Sequence, residues 1–344
     1  MIPYAKHEVT PEDEAAVLRA LRSQRLTQGP EVEAFEAELC AATDARYAVC
    51  VANGTLALEL AYQALGVGPE LGIACPTVTF MATANAARRL EAVVAFTDPA
   101  GTWMDPTRCV VDVSLGGDHT TTPSADGRIT KGRVHDASHT LGAGHLLDGY
   151  HCTTLSFHAI KQVACGEGGA ILTNDPTLYQ SLWALRDHGC RFSPTGSRSM
   201  TSLGTNARMA EMPAALGRSQ LRRLPENLAR RRHIASVYNS VFGALAVPHG
   251  PDSARHLYQI RVPAEIRDRF RGRLAELGVG TQVHYPPVHL QPYYRTLGWK
   301  EGDFPQAEQY AAEVMSLPLF PSLTEQEIET VIQSVVMVTK ELMG

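Results

Sequence analysis

The stretch TTLSFHAIKQVACGEGGAILTND, residues 153–175, decides the fold, because a lysine and a glycine-rich turn join two apolar, β-branched runs in it. The first run ends near Ser156, Lys161 follows closely, and the turn at 165–169 leads into the second run. This order predicts two buried strands, with Lys161 just beyond the end of the first. Desolvation there would lower the pKa of the lysine and leave a nucleophilic amine, which Schiff-base chemistry requires. An isolated lysine beside a turn is more often a surface residue, so the neighbouring motifs decide the interpretation.

Strand-like and helix-like segments alternate between residues 46 and 175, which favours an α/β fold with a mainly parallel sheet. The strand candidates lie at 47–51, 73–75, 93–96, 109–113, 133–135, 153–157 and 170–172, and the helix candidates at 55–65 and 81–90. Beyond about residue 205 long helices dominate, with a break near Pro225. Thr324 and Glu327 fit a capping box that opens a closing helix. We therefore expect a large domain over residues 1–240, N-terminal segment included, and a smaller C-terminal α+β domain over residues 241–344.

The composition is that of an ordinary folded protein and excludes disorder or a collagen-like fibre, with 44% hydrophobic and 19% charged residues among 344. The net charge of −5 argues against a generic nucleic-acid binder. The arginine-rich stretch 222–232 has no interleaved aromatic residues, so a solvated helix face or a subunit contact is the better interpretation. No stretch approaches the roughly 18 apolar residues of a membrane span, and the first residues lack an apolar signal core. We expect a cytoplasmic protein without a membrane partner.

A metal site and a nicotinamide site are the two rival interpretations of the motifs, and neither is predicted. The segment His135–His139, HDASH, resembles the zinc motif HExxH, but that motif works only on a helix and this segment follows a strand-like run. The glycine-rich turn at 166–169 lacks the GxGxxG pattern and leads into a strand. The seven cysteines form no CxxC pair, so we expect reduced and mostly buried thiols.

Two further motifs stand where strands of an α/β sheet are predicted to end. Asp136 follows a strand, and an aspartate at the carboxyl end of a parallel strand points into the ligand crevice. There it could keep a pyridinium nitrogen protonated, as an electron-sink cofactor needs; a plain strand-end or helix-capping role is the alternative. Asn53, Gly54 and Thr55 stand at a strand-to-helix turn, a possible phosphate seat that could equally be a simple cap.

Taken together, the motifs resemble the DegT/DnrJ family of sugar aminotransferases that depend on pyridoxal 5′-phosphate (PLP). The resemblance runs almost from end to end of the chain. It rests on LTQGP at 26–30, NGT at 53–55, PTVTF at 76–80, DASH at 136–139, SFHAIK at 156–161, GEGGAILTND at 166–175, LRDHG at 185–189 and AALGRSQLRRL at 214–224. It implies the architecture called PLP-dependent transferase fold type I, with PLP as the cofactor.

The resemblance also assigns roles to individual residues. Lys161 matches the lysine that carries the cofactor and moves the proton, and Asp136 matches the partner of the pyridine nitrogen. His139 stands where the family contacts the 3-hydroxyl, and Phe80 matches the aromatic residue that stacks on the ring. The phosphate contacts are carried over to Gly54, Thr55, Ser156 and, from the neighbouring subunit, Asn206. The last assignment implies a homodimer with shared active sites.

The C-terminal segment 283–327 is similar to the branch of this family that makes UDP-4-amino-4,6-dideoxy-N-acetyl-altrosamine for pseudaminic acid. It implies a UDP-linked 4-keto-6-deoxy-N-acetyl hexose as substrate and L-glutamate as amino donor. His284, Tyr285 and His289 are the candidates for the sugar-nucleotide pocket, although turn or core-edge roles fit them as well. Three alternatives stay open: a dTDP-linked or 3-keto sugar, a PLP-binding sugar dehydratase, and a non-catalytic member. The dehydratase branch replaces the lysine by histidine, so Lys161 argues against it.

Overall fold

A mixed sheet forms the centre of the molecule in our computed structural model, which describes residues 1–98, 109–118, 132–193 and 196–344. In sheet order β1-β7-β6-β5-β4-β2-β3, every neighbouring pair is parallel except the two that involve β7. The strands of this sheet are β1 Tyr47–Val51, β2 Ile73–Pro76, β3 Val94–Thr97, β4 Cys109–Val113, β5 Gly132–Asp136, β6 Cys152–Ser156 and β7 Gly169–Thr173. The predicted α/β fold with a mainly parallel sheet is confirmed.

Helices cover both faces of this sheet, and the alternation of side chains along β1 shows why. Val49 and Val51 pack into one apolar layer, whereas Ala48 and Cys50 pack into the other, since successive strand residues point to opposite faces. The helices of the large domain are α1 Pro11–Leu21, α2 Pro30–Thr43, α3 Gly54–Ala64, α4 Ala82–Arg89, α5 Pro176–Arg186, α6 Glu211–Arg222 and the first part of α7 Leu224–Phe242. Helices α3, α4 and α5 cover the first face, and α2 and α6 cover the second.

A smaller α+β unit follows, built on a two-stranded antiparallel sheet. Its elements are β10 Tyr258–Arg261, β11 Val314–Leu317, α8 Ala264–Glu276, α9 Pro292–Arg295, α10 Pro305–Glu313 and α11 Glu325–Met343; a short hairpin, β8 Cys190–Phe192 and β9 Arg198–Met200, precedes α6. The predicted capping box is present, because Thr324 Oγ1 accepts the Glu327 N–H at 3.1 Å and the Glu327 carboxylate accepts the Thr324 N–H at 2.9 Å. The predicted break in the long helical stretch is also present, between α6 and α7.

The two units share more elements than a single boundary at residue 240 implies. Leu224 and Leu228 of α7 pack into the core of the large domain, whereas Ile234 and later residues pack into the small one. At the N-terminus, Ala16 and Ala20 of α1 pack on Ala215 of the large domain, whereas the first residues pair with the small unit, since Ile2 N–H donates to the Gly278 carbonyl at 2.7 Å. Helix α7 and the N-terminal segment therefore connect the two units.

The cysteine side chains are reduced and six of the seven are buried, as predicted; Cys40 is partly exposed. In the described part of the chain, no helix is long and apolar enough to span a bilayer.

Candidate active site

A cavity of about 1450 Å³ opens at the carboxyl edge of the sheet, between the large domain and the loop that carries His284 and Tyr285. Strands β1, β5 and β6 run in the same direction, so the segments that follow them meet at this edge. Most of the residues predicted for the site line the cavity: Gly54, Thr55, Phe80, Asp136, His139, Ser156, Lys161, His284 and Tyr285.

Lys161 lies in the turn after β6, where its N–H donates to the His158 carbonyl at 2.8 Å. Burial of the amine lowers its pKa from an ordinary 10.5 to about 8, and the nearby Asp136 carboxylate opposes part of that shift. The amine is therefore unprotonated in a sizeable fraction of molecules at mildly alkaline pH. That is the state in which a lysine acts as a nucleophile or a base.

The carboxylate of Asp136 is buried at the end of β5 and held from two sides. Thr83 Oγ1 of α4 donates to Oδ2 at 2.8 Å, and Ser138 Oγ donates to Oδ1 at 2.6 Å. These bonds fix the plane of the carboxylate and satisfy part of its hydrogen-bonding capacity in a site where water is scarce. Its negative charge is thus presented to the cavity beside Lys161.

The N-terminus of α3 forms a cradle against the end of β6. Asn53 caps the helix by accepting the Leu56 N–H at 2.9 Å, and the first-turn N–H groups of a helix have no acceptor within it. A Cβ at Gly54 would lie only 2.9 Å from Ser156 Cβ, and one at Gly169 only 2.6 Å from the Asn53 carbonyl carbon. The backbone amides and the Ser156 hydroxyl therefore surround a space that suits a phosphate group.

The imidazole of His139 lines the same cavity, and it is buried and held in its neutral form. Its Nδ1 accepts the Gly116 N–H at 3.2 Å, and its Nε2 lies 3.4 Å from Tyr285 Oη. Burial, with a smaller contribution from the Lys161 charge, keeps its pKa well below the ordinary value of 6.5. Phe80, with 52% of its surface exposed, lies with its ring centre 5.7 Å from that of Tyr285.

His284 closes the small-domain side of the cavity. Its Nδ1 lies 2.8 Å from Ser316 Oγ, and burial lowers its pKa to about 4, with the Lys161 charge acting in the same direction. Both His139 and His284 are therefore uncharged near neutral pH. The Lys161 amine, in contrast, gains or loses its proton at mildly alkaline pH. Burial raises the pKa of the Tyr285 hydroxyl, so that group also stays neutral.

Two predicted site residues do not line the cavity. His289 is fully buried behind the wall, with Nδ1 2.7 Å from Thr77 Oγ1 and Nε2 3.1 Å from Glu308 Oε1. Its position makes it a support of the wall, because no atom of it reaches the cavity surface. Asn206 is exposed and pairs through its backbone with Asp187, away from the cavity of its own chain.

The HDASH segment has the geometry of a strand end, unlike a helical zinc motif. His135 lies on β5, where Nδ1 donates to the Leu146 carbonyl at 3.0 Å and Nε2 accepts from Ser114 Oγ at 2.6 Å. Both ring nitrogens are therefore engaged within the protein. Over the described ranges, no group of three or more His, Cys, Asp or Glu side chains could hold a metal ion.

Sequence reasoning missed Thr83, Ser138 and Gly116 as partners of the central groups. Ser138 stands inside the DASH motif, where an Asp-x-Ser spacing permits the observed bond. Thr83 is a buried polar residue in the alanine-rich helix α4, which could have marked it. Gly116 has no local sequence signal, since its contact with His139 spans 23 residues.

The comparisons with known proteins agree with this geometry. The model of the DegT/DnrJ/EryC1/StrS aminotransferase family matches residues 7–116 and 132–336. The chain belongs to this family.

Two relatives of this aminotransferase are named after the sugar nucleotides on which they act. The dTDP-3-amino-3,4,6-trideoxy-alpha-D-glucose transaminase of Streptomyces venezuelae is 33% identical over 95% of this chain and 94% of its own. The UDP-4-amino-4,6-dideoxy-N-acetyl-beta-L-altrosamine transaminase of Campylobacter jejuni is 31% identical over 86% and 87%.

Solved structures extend the similarity to the whole fold of the aminotransferase. Spr1654 of Streptococcus pneumoniae in its PLP form superposes with a TM-score of 0.89, at 26% identity over 99% of both chains. Helicobacter pylori PseC, an aminotransferase of pseudoaminic acid biosynthesis, superposes with a TM-score of 0.91, at 26% identity over 99% of this chain and 100% of its own. The protein is therefore a PLP-dependent sugar aminotransferase of fold type I, as the sequence predicted.

Proposed function

We propose that this enzyme moves an amino group from L-glutamate to C4 of a UDP-linked 4-keto-6-deoxy-N-acetyl hexose. The observation that carries the aminotransferase chemistry is Lys161, whose amine has a pKa of about 8 and shares one cavity with the Asp136 carboxylate. The choice of sugar is supported by the name of the Campylobacter jejuni relative and by the similarity to PseC. The Streptomyces venezuelae relative supports the alternative, a dTDP-linked 3-keto sugar.

The size of the cavity supports a large substrate beside the cofactor. Pockets for one small molecule usually measure about 300–1000 Å³. The cavity of about 1450 Å³ exceeds that range, so it has room for PLP and for part of a nucleotide sugar. Its far end is lined by small-domain residues that include Arg267 and Arg271.

The residues of the cavity fit PLP. Gly54, Thr55 and Ser156 would hold its phosphate, because the glycine leaves the cradle open and the helix terminus supplies backbone donors. Asp136 would keep a proton on the pyridine nitrogen, and Phe80 would contact the face of the ring. When bound, the cofactor supplies an aldehyde carbon and an electron-withdrawing ring.

Lys161 would move the protons of both half-reactions through Nζ. In the first half-reaction its free amine would take the proton from the α-carbon of glutamate and deliver it to the aldehyde-derived carbon of the cofactor. In the second it would take a proton from that carbon and deliver it to C4 of the sugar. A pKa of about 8 suits both tasks, because a general acid–base group works best when its pKa lies near the working pH. The buried, uncharged state of His139 and His284 keeps them from competing for that proton.

On the substrate side, His284 and Tyr285 would contact the sugar nucleotide, since both line the cavity. We assign His289 an indirect part. It connects the wall segment at Thr77 to Glu308 of α10 and so holds in place the 3₁₀ turn to which it belongs, Val288–Leu290.

We also propose that Asn206 contributes to the phosphate site of a partner subunit in a homodimer. It is exposed on a loop beside Leu203, an apolar residue with 78% of its surface exposed, and it lies away from the cavity of its own chain. A subunit contact at this loop would remove the Leu203 side chain from water. Cytoplasmic localisation stays a prediction.

The test is a panel of nucleotide keto-sugars offered with glutamate to the PLP-loaded enzyme, with products identified by mass. The UDP-linked 4-keto-6-deoxy-N-acetyl hexose should gain an amino group faster than its dTDP-linked or 3-keto counterparts. Lys161→Ala should abolish transfer, whereas Lys340→Ala, at an exposed position of α11, should leave the rate unchanged.

Two results would separate the parts of the proposal. Preference for a dTDP-linked or 3-keto sugar would overturn the substrate and leave the chemistry intact. Full activity of Lys161→Ala would overturn the chemistry itself.

A further inference from the structure

The orientation of His139 depends on a short turn, Leu115–Gly117, that has no part in the proposed reaction. The 3₁₀ turn Leu115–Gly117 follows β4, and its Gly116 N–H donates to His139 Nδ1 at 3.2 Å. A ring nitrogen that accepts an N–H bond carries no proton, and the buried ring is neutral. The proton must therefore be on Nε2, the nitrogen that faces Tyr285 Oη and the cavity.

The turn keeps its position because two glycines let it pass close to the small domain. Gly116 has φ +78° and Gly117 has φ +118°, which a residue with a side chain rarely adopts. A Cβ on Gly116 would lie 2.8 Å from His249 Cε1, and one on Gly117 would lie 2.7 Å from the Arg255 nitrogen. A side chain at either position would push the turn away from the loop 249–257.

Backbone hydrogen bonds join the same two segments. The Ala254 N–H donates to the Gly117 carbonyl at 2.8 Å, and the Leu257 N–H donates to the Gly116 carbonyl at 3.1 Å. Asp118 adds a side-chain contact, with Oδ2 2.9 Å from His249 Nδ1. The turn is thus attached to the small domain by its carbonyls while its amide points to His139.

A second contact from the same loop reaches His139 directly. The ring of His256 lies 4.2 Å from the ring of His139, centre to centre, and both are buried. The loop 249–257 of the small domain therefore holds the turn that bonds to His139 and also packs the His256 ring against the His139 ring.

We propose that the turn 115–118 is a positioning element, which uses the Gly116 amide to fix His139 in the Nε2–H tautomer and uses the loop 249–257 to hold that amide in place. His139 then donates a hydrogen bond from Nε2 to an oxygen atom of a ligand that occupies the cavity beside Tyr285, and does not accept one there. The consequence rests on the proposed function and on the contact with the 3-hydroxyl of the cofactor that the family resemblance implies for His139, but the tautomer is a property of the protein alone.

The first experiment reads the tautomer in the cofactor-free protein. Nitrogen-15 NMR of histidine-labelled protein, with the His139 signal identified by its loss in His139→Gln, should show a protonated Nε2 and an unprotonated Nδ1 at neutral pH. The opposite tautomer or an even mixture would overturn the proposal. This result does not depend on substrate or activity, so it is separate from the failure of the proposed function.

The second experiment compares two glycine variants with nearly equal φ. Gly116→Ala should mix the His139 tautomers and weaken PLP binding about 3- to 10-fold, as expected for the loss of one buried hydrogen bond. Gly66→Ala is the matched control, because Gly66 has φ +79° and nothing lies within 4 Å of its added Cβ. It should leave both the tautomer and the PLP affinity unchanged.

A smaller disturbance of the turn should have a smaller effect. His249→Ala adds no bulk and removes the contact with Asp118 Oδ2, so it should shift the His139 tautomer less than Gly116→Ala does. An unchanged His139 spectrum in folded Gly116→Ala would overturn the role of the turn. If that variant does not fold, Asp118→Ala adds no bulk and should loosen the turn, with a measurable share of the Nδ1–H tautomer; a native spectrum there would count equally against the proposal.

Discussion

At the scale of single residues, the site depends on one amine that is costly to keep charged. The protein around Lys161 disfavours its ammonium form, and the Asp136 carboxylate compensates only in part. The hydroxyl groups of Thr83 and Ser138 donate hydrogen bonds to the Asp136 carboxylate. These bonds fix its orientation, so it does not rotate to form an ion pair with the Lys161 ammonium group. The pair is therefore arranged for proton transfer at the expense of stability.

This cost gives a pH-dependent prediction for the cofactor-free protein. Because the pKa of Lys161 is lower in the folded state than in the unfolded state, the unfolded chain binds more protons between about pH 8 and 10.5. Wild-type stability should therefore gain a contribution as the pH rises through this window. Lys161→Met should be more stable than wild type near neutral pH, by up to about 3 kcal/mol, and the difference should shrink above the window.

Denaturant unfolding of both proteins on either side of the window measures this difference. Lys340→Met, at an exposed site, should show no such pH dependence. A stability difference between the two proteins that stays constant across the window would show that the fold does not disfavour the ammonium form.

At the scale of elements, helix termini decide both binding and stability. The N-terminus of α3 is brought against the end of β6 by contacts so close that only glycine fits at Gly54. The N-terminus of α11, in contrast, lies at the surface and is stabilised by a capping box of its own residues. The first terminus is the proposed seat of the cofactor phosphate, and the second stabilises its own helix.

The cradle predicts a loss of cofactor affinity in Gly54→Ala. The added methyl group would meet Ser156 and enter the proposed phosphate seat. Loss of hydrogen bonds to a charged group should weaken PLP binding by about tenfold or more. Absorbance titration of the cofactor-free protein with PLP measures the change.

Gly272→Ala is the control for this change. Gly272 lies within α8 with open space around its Cβ position, so alanine should stabilise that helix by roughly 0.5–1 kcal/mol and leave PLP binding as it is. Equal PLP affinity of folded Gly54→Ala and wild type would exclude the cradle as the phosphate site.

The capping box predicts a purely structural effect. Thr324→Ala removes the acceptor for the Glu327 N–H and should lower the free energy of unfolding by about 0.5–2 kcal/mol without changing transaminase activity. Thr330→Ala, further along the same helix, loses only a bond to the Gln326 carbonyl and should be close to neutral. Urea unfolding separates the two; equal stability would mean that the cap contributes little.

At the scale of the whole molecule, the active site lies where separate parts of the chain meet. The large domain supplies Lys161 and Asp136, and the small domain supplies His284 and Tyr285. Helix α7 packs into both cores, so the domains are held in a fixed relation around the cavity. The proposed dimer would add a third source, Asn206 of the neighbouring chain.

Mixed dimers test that third source. If each site takes Lys161 from one chain and Asn206 from the other, a dimer of Lys161→Ala with Asn206→Asp contains one native and one doubly altered site. Random mixing of two inactive homodimers should then restore about a quarter of the wild-type activity. Asn206→Asp places a carboxylate against the proposed phosphate and should by itself abolish most PLP binding.

The complementation has a simple counter-result. If the mixture stays inactive although size analysis shows exchanged subunits, Asn206 acts within its own chain or not at all. Lys161→Ala mixed with Lys161→Met should remain inactive in either case.

The sequence by itself determined the alternation of strands and helices, the strand-to-helix turn at 53–55, and the places of Lys161 just beyond β6 and of Asp136 at the end of β5. These follow from local patterns, since apolar periodicity and glycine spacing act within a few residues. The family resemblance placed His289 in the sugar-nucleotide pocket, and its burial against Thr77 could not be read from the sequence. Tertiary structure alone decided which distant groups meet: Thr83 on Asp136, Gly116 on His139, and the N-terminal segment on the small domain. Such contacts join residues far apart in the chain, so only the packing of the whole fold specifies them.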